Sequence, residues 1–262
     1  IPLNIKILNL LWKLKQNNMT TQEFSSEFDI LYNNIMSNAA PGLDEYEKSV
    51  FLTKAQEEIL KNYFNPKGNK YQEGFDDNEK RQIDFSGLVT VITIPSYSNS
   101  QYIKIDDRSL LFLMPNDMLF ALNEVCEITE NNINRLVNVV PISFIEYSRL
   151  ISKPYKQPLK NQCWRLISSN FEKDRVFELI LPFGSIVPGS YRIRYISRPA
   201  PIILVDLSTE YPGLSINGIT SVTECELDSS IHYEILQRAV ELAKSTYTGD
   251  LRTMVELGQR SE

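Results

Sequence analysis

The sequence holds a single histidine, His232, and only three cysteines, Cys126, Cys163 and Cys225, in 262 residues. One histidine excludes a zinc-protease helix, a three-histidine metal centre and a two-histidine facial triad within one chain. A Ser–His–Asp triad would have to use His232, yet no G-x-S-x-G elbow occurs. The position falls in the first turn of an expected helix, where a packing role is the simpler reading. No cysteine pair has C-x-x-C spacing, so a zinc ribbon or a thioredoxin-type motif is excluded. Three isolated cysteines read as reduced, buried thiols. The ten glycines are too sparse for a dinucleotide fingerprint, and no G-x-x-x-x-G-K-[ST] loop is present. No apolar run approaches the ~20 residues that cross a bilayer. Neither a cofactor, a metal nor a membrane partner is expected.

Acidic side chains outnumber basic ones by 33 to 27, a formal net charge of −6. That balance argues against a whole-surface nucleic-acid binder and leaves room for a local basic strip. A hydrophobic fraction of 42% is ordinary for a chain with a packed core. The acidic runs Asp76-Asp77-Asn78-Glu79 and Asp106-Asp107 lack the spacing of a calcium loop and read as solvated turns. Paired hydrolytic carboxylates are defined by geometry rather than spacing. A carboxylate hydrolase therefore stays the one enzymatic alternative to a non-enzymatic protein.

Two helices open the readable pattern. Thr20-x-x-Glu23 has capping-box spacing, and Phe24, Phe28, Leu31, Tyr32 and Ile35 follow on one face before Asn38-Ala-Ala-Pro-Gly42 breaks it. Asp44-x-x-Glu47 starts the second helix, whose apolar face is read as Val50, Phe51, Ala55, Ile59, Tyr63 and Phe64, ending at Asn65-Pro66. Residues 66–82 read as an exposed polar loop. Strands are expected at Leu88–Ile94, Tyr102–Ile105, Ser109–Met114, Leu119–Ile128 (with a short helix as the alternative there), Arg135–Ile142, Trp164–Ile167, Val176–Leu181 and Tyr191–Ile196, with Gly184 and Pro188-Gly189 turning the chain before the last. Ser143–Ile151 resembles a short helix. Ile231, Ile235, Leu236, Ala239, Val240, Leu242 and Ala243 mark a closing helix capped by Asp228 and ended by Gly249.

Helices segregated from short strands give an α+β fold: an N-terminal helical pair, a central mostly antiparallel β region, and a C-terminal helix packing back on the helical part. The expected divisions are 19–66 helical, 67–227 β-rich and 228–262 the closing helix, together one structural unit. Residues 1–18 precede Met19 and read as upstream translation, with an extra amphipathic helix as the alternative.

The segment Lys153–Trp164 is read as an extended, proline-punctuated arm, because Pro154 and Pro158 remove amide donors a central strand needs. It joins cations to aromatics, which suits a protein interface or single-stranded nucleic acid. The interface reading makes Tyr155, Lys156, Trp164 and Arg165 the candidate contact residues.

Three stretches resemble virion structural proteins of crAss-like phages: Met19–Tyr63 with its continuation to Phe85, FIEYSRLISKPYKQPLKNQCWRL within Ser143–Leu166, and the closing IHYEILQRAVELAKSTYTGDL. They cover about half the chain. Their order is similar to that of ring-forming head-to-tail connector proteins of the neck, and no catalytic residue comes with the resemblance. It implies a homo-oligomeric ring that contacts portal and other neck or tail proteins. DNA would be passing cargo, and the ring would be a virion part assembled in the cytoplasm of the bacterial host. A tail-fibre adaptor or baseplate-associated protein is the alternative within the same particle.

Overall fold

The computed structural model describes residues 18–35, 42–64, 79–96, 102–130, 133–169, 174–182 and 186–248. The expectations for residues 1–17, for the breakers at 38–41, for Asn65-Pro66 and for Gly249 lie outside them. The chain divides into two compact units. One combines the residues up to Leu88 with those from Pro199 onward; the other is Val89–Arg198. The boundary therefore differs from the expected 67–227. Residues 79–88 and 199–227 pack with the helices, which leaves the sheet as a continuous insert in the helical unit.

In the helical unit, α1 (Thr21–Ile35) and α2 (Glu45–Phe64) both begin with reciprocal caps. Thr20 N donates to Glu23 Oε2 at 2.8 Å and Glu23 N to Thr20 Oγ1 at 3.3 Å. Asp44 N donates to Glu47 Oε2 at 3.1 Å and Glu47 N to Asp44 Oδ1 at 2.7 Å. Each box satisfies amides that a helix start leaves bare. The closing helix α6 (Ser229–Thr248) packs against both α1 and α2. Their shared core is Phe24, Phe28, Tyr32, Leu52, Ala55, Ile59, Ile231, Ile235, Leu236, Ala239 and Val240.

The buried side of α2 holds Ala55 and Ile59 of the expected face together with Leu52, Leu60 and a polar stripe. Val50 and Phe51 are half-buried, while Ser49, Thr53 and Gln56 are buried. This polar stripe binds the returning chain. Leu204 N donates to Ser49 Oγ at 3.0 Å, Ile202 N to Thr53 Oγ1 at 3.1 Å, and Gln56 Nε2 to the Ala200 carbonyl at 2.9 Å. Residues 200–204 form no strand of the sheet, so side chains satisfy buried backbone groups that would otherwise be costly. The expected loop 66–82 also ends differently. Glu79–Asp84 forms helix α3, with Arg81 and Asp84 buried, and Ser230 Oγ donates to Asp84 Oδ1 at 2.6 Å. A short helix α5 (Leu207–Glu210), capped by Asp206, lies in the returning chain.

His232 is a packing residue in this unit. Its Nδ1 accepts from Met19 N at 3.2 Å and its Nε2 faces the Leu227 carbonyl at 3.0 Å, while Phe24 lies against the ring at 5.2 Å. One nitrogen accepts and the other donates, which requires the neutral ring. Burial holds its pKa below the ordinary imidazole value, against the opposing pull of the Leu227 carbonyl and Asp228.

The β unit is one seven-stranded sheet. Its strands are β1 (Val89–Ile94), β2 (Ser109–Leu113), β3 (Met118–Glu130), β4 (Ile133–Pro141), β5 (Gln162–Ser169), β6 (Arg175–Ile180) and β7 (Ile186–Ser197), in the order β1-β7-β3-β4-β5-β6-β2. All pairs are antiparallel except β4 with β5. A parallel pair needs a crossover of a dozen or more residues. Here it is supplied by α4 (Phe144–Ile151), capped by Ser143, and a tight helical turn at Pro154–Lys156. The sheet curls on itself, bringing Phe112 of β2 to 4.9 Å from Tyr191 of β7. Its concave face encloses Cys126, Ile128, Val137, Cys163, Phe177, Leu179 and Ile193. The three cysteines are free and buried.

Two β expectations are corrected. Tyr102–Ile105 is not a strand; the Glu178 carboxylate holds it, accepting from Tyr102 OH at 3.0 Å and Ile105 N at 2.8 Å and also binding the Ser109 hydroxyl. Pro188-Gly189 lies within β7, where the pairing with β3 shifts register, and is not a turn before it. A register shift accommodates a proline because the ladder already lacks a regular bond there.

Candidate functional site

The proline-punctuated segment is the return leg of the β4–β5 crossover, and the structure separates its four candidate residues into two pairs. Trp164 and Arg165 belong to β5 and are each 5% exposed. Trp164 packs with Tyr147, Leu166 and Ile180 under α4. Arg165 points to the opposite, concave side. Its Nε lies 2.8 Å from Glu124 Oε2, and its guanidinium sits 4.6 Å over the Phe177 ring. Their reading as contact residues is therefore corrected: an alternating strand covered on both faces leaves neither side chain free.

Tyr155 and Lys156 are different. Both are exposed, Tyr155 to 97%. The segment is not fully extended, because Lys153 N donates to the Leu150 carbonyl and Lys156 N to that of Lys153. Pro158 is buried beneath it.

Below the segment, Asp106 and Arg108 form a bracket rather than a solvated turn. Arg108 Nη2 lies 2.6 Å from Asp106 Oδ2, Arg108 Nη1 donates to Gln157 Oε1 at 3.2 Å, and Tyr147 OH donates to Asp106 at 3.4 Å. The Arg108 guanidinium keeps the Asp106 carboxyl below its usual range. Burial, followed by the Asp106 charge, raises the Tyr147 phenol. The bracket ties α4 and the return leg to the sheet.

The outer surface of this crossover joins apolar and basic side chains. Ile145 is 84% exposed, Phe144 and Leu159 are exposed, and Arg149, Lys153 and Lys156 stand beside them in sequence. Exposed apolar groups among cations, on a backbone already held in one shape, are suited to binding a protein surface. Less conformational entropy remains to be lost on contact. Sequence reasoning missed Ile145, whose exposure follows from α4 turning Tyr147, Leu150 and Ile151 toward the sheet instead.

Among the described residues no cluster of three or more His, Cys, Asp or Glu is arranged to hold a metal, and no helix is long and apolar enough to cross a membrane.

Comparison with known proteins places the chain in context. Residues 19–253 match the family model described as phage tail ring protein 3/4. The chain is 53% identical over 244 residues to "Ring protein 4/5" of Bacteroides phage crAss001, covering 93% of this chain and 100% of that protein. It is also 34% identical over 239 residues to "Ring protein 3" of the same phage, covering 88% of this chain and 99% of that protein.

Proposed function

The chain belongs to the phage tail ring protein 3/4 family, and from that membership we propose that it is a structural subunit of a closed homo-oligomeric ring in the connector between portal and tail. The observation that carries this reading is the 53% identity along the whole of a crAss-like phage ring protein. A second ring protein of that phage is also a relative. Related subunits of this kind would build more than one ring of a stack.

Each ring in such a stack needs two kinds of surface, one for its own neighbours and one for the ring above or below. The Tyr155–Lys156 turn serves the second, docking on the portal or an adjacent ring. An acidic chain suits a conduit for DNA, since every neutralised phosphate would add affinity and slow passage. The subunit works in the virion and assembles in the cytoplasm of the host.

Alanine at both Tyr155 and Lys156 tests the docking role. The double variant keeps the wild-type melting temperature, because neither side chain is buried, but binds the adjacent ring or portal protein at least ~2 kcal/mol more weakly, a hot-spot loss. Titration by interferometry or calorimetry reads the difference. Unchanged affinity with an intact fold removes this turn from the interface.

A further inference from the structure

Over β5 and β6, α4 seals the convex face of the sheet with Tyr147 against Trp164, Leu166 and Ile180, and Val140 of β4 packs with them. Farther along this face Ile196 of β7 is buried. Between them, the middle rows of β1, β7, β3 and β4 carry exposed side chains. There Arg194 is paired in register with Val91 and Asn123, and Arg192 with Thr93 and Val125. Val125 faces Asn138, and the next row on β4 presents Leu136. Both arginines are exposed, as are Val91 at 50% and Leu136 at 64%. Neither arginine meets a carboxylate at ion-pair distance among the described residues. The acid on this face, Glu127, already accepts from Ser190 at 3.1 Å.

Charge along the chain is unevenly divided. Residues 89–198, the β unit, carry thirteen Lys and Arg against ten Asp and Glu, and the remainder carries fourteen against twenty-three. Residues 199–237 contain six acids and no Lys or Arg. Within that stretch Glu210 and Glu224 are exposed and make no ion pair among the described residues, with exposed Leu214 and Val222 nearby in sequence. The two segments match in kind, adjacent arginines with aliphatic neighbours on β7 and its partners against an acidic stretch that also exposes aliphatic side chains.

We infer that the exposed middle rows of β1, β7, β3 and β4, through Arg192 and Arg194, bind the acidic 206–226 segment of a second copy of this chain. The inference rests on the ring reading. A heterologous contact between two different patches is what generates a closed ring by rotation. Duplex DNA is the less suited occupant, because its affinity grows with the number of phosphates neutralised. This face offers two cations flanked by Val91, Leu136 and neutral amides. Arginine beside apolar groups is the composition of protein interfaces.

The test is charge reversal in the purified full chain, read by mass photometry and negative-stain imaging. Arg192→Glu with Arg194→Glu, and separately Glu210→Arg with Glu224→Arg, should each weaken self-association at least about 30-fold, the size of a hot-spot loss. Both should leave the melting temperature unchanged, and the four-fold combination should restore rings. Rings that persist undiminished in the Arg192/Arg194 variant overturn the inference while leaving the ring reading intact. So does a variant that loses only binding to duplex DNA, or a combination that fails to recover. A wild-type chain that forms no ring under the same conditions overturns the ring reading itself.

Discussion

Replacing Leu236 by Asp is expected to abolish the cooperative unfolding transition of the chain. Leu236 is fully buried in α6, on the face that packs against α1 and α2. Removing a buried leucine forfeits roughly 1.5–3 kcal/mol of transfer free energy. The carboxylate put in its place finds no cation in an apolar core, a penalty of several kcal/mol more. The sum rivals the ~5–15 kcal/mol that holds a typical domain together. Leu236→Met keeps volume and apolarity and should cost under about 1.5 kcal/mol. Thermal melts followed by circular dichroism separate the two. A soluble Asp variant that still melts cooperatively would show that this face is covered by a partner rather than by α1 and α2.

The second large effect is expected in the concave core of the β unit. Glu124 and Arg165 face each other on β3 and β5, buried almost completely, and Tyr191 OH donates to Glu124 at 2.7 Å. Burial, followed by the Glu124 charge, holds the Tyr191 phenol well above its ordinary pKa, so it stays a donor. Arg165 Nη1 has no hydrogen-bond partner among the described residues. Glu124 is thus the group that balances the guanidinium. Glu124→Ala strands a buried cation and should destabilise the chain by about 3–5 kcal/mol. Glu124→Leu combined with Arg165→Met removes both charges and should recover most of that loss. Urea unfolding of the single and double variants gives the comparison. A single variant within ~1 kcal/mol of wild type would mean that water or relaxation compensates the cation.

What the sequence revealed and what it hid follow from the same physics. Both capping boxes and the face of α6 were legible because they are local: a cap needs residues three apart, and a helical stripe repeats every turn. The runs Leu88–Ile94 and Arg135–Ile142 declared themselves as strands for the same reason. The stripe Ser49, Thr53 and Gln56 gave no signal because its partners, the backbone groups of residues 200–204, are about 150 positions away. Glu178 gave no signal either, since an acid in a strand is ordinarily a surface residue, and its role depends on a loop it meets only in the fold. Trp164 and Arg165 were read as contact residues because they close a proline-punctuated segment that joins cations to aromatics. The parallel pairing of β4 with β5 instead carries the chain from that crossover into the middle of the sheet. Of the four candidate residues, Tyr155 and Lys156 are the two that the fold leaves exposed.

Assembly of the purified chain is the most direct test of the ring claim. Two-dimensional class averages from negative stain, with mass photometry on the same sample, give the subunit arrangement without any partner protein. A closed ring of rotationally related copies with a central channel is the expected result. A uniform population of monomers, or of trimers of the kind suited to a fibre-associated part, at concentrations well above those of assembly would contradict it.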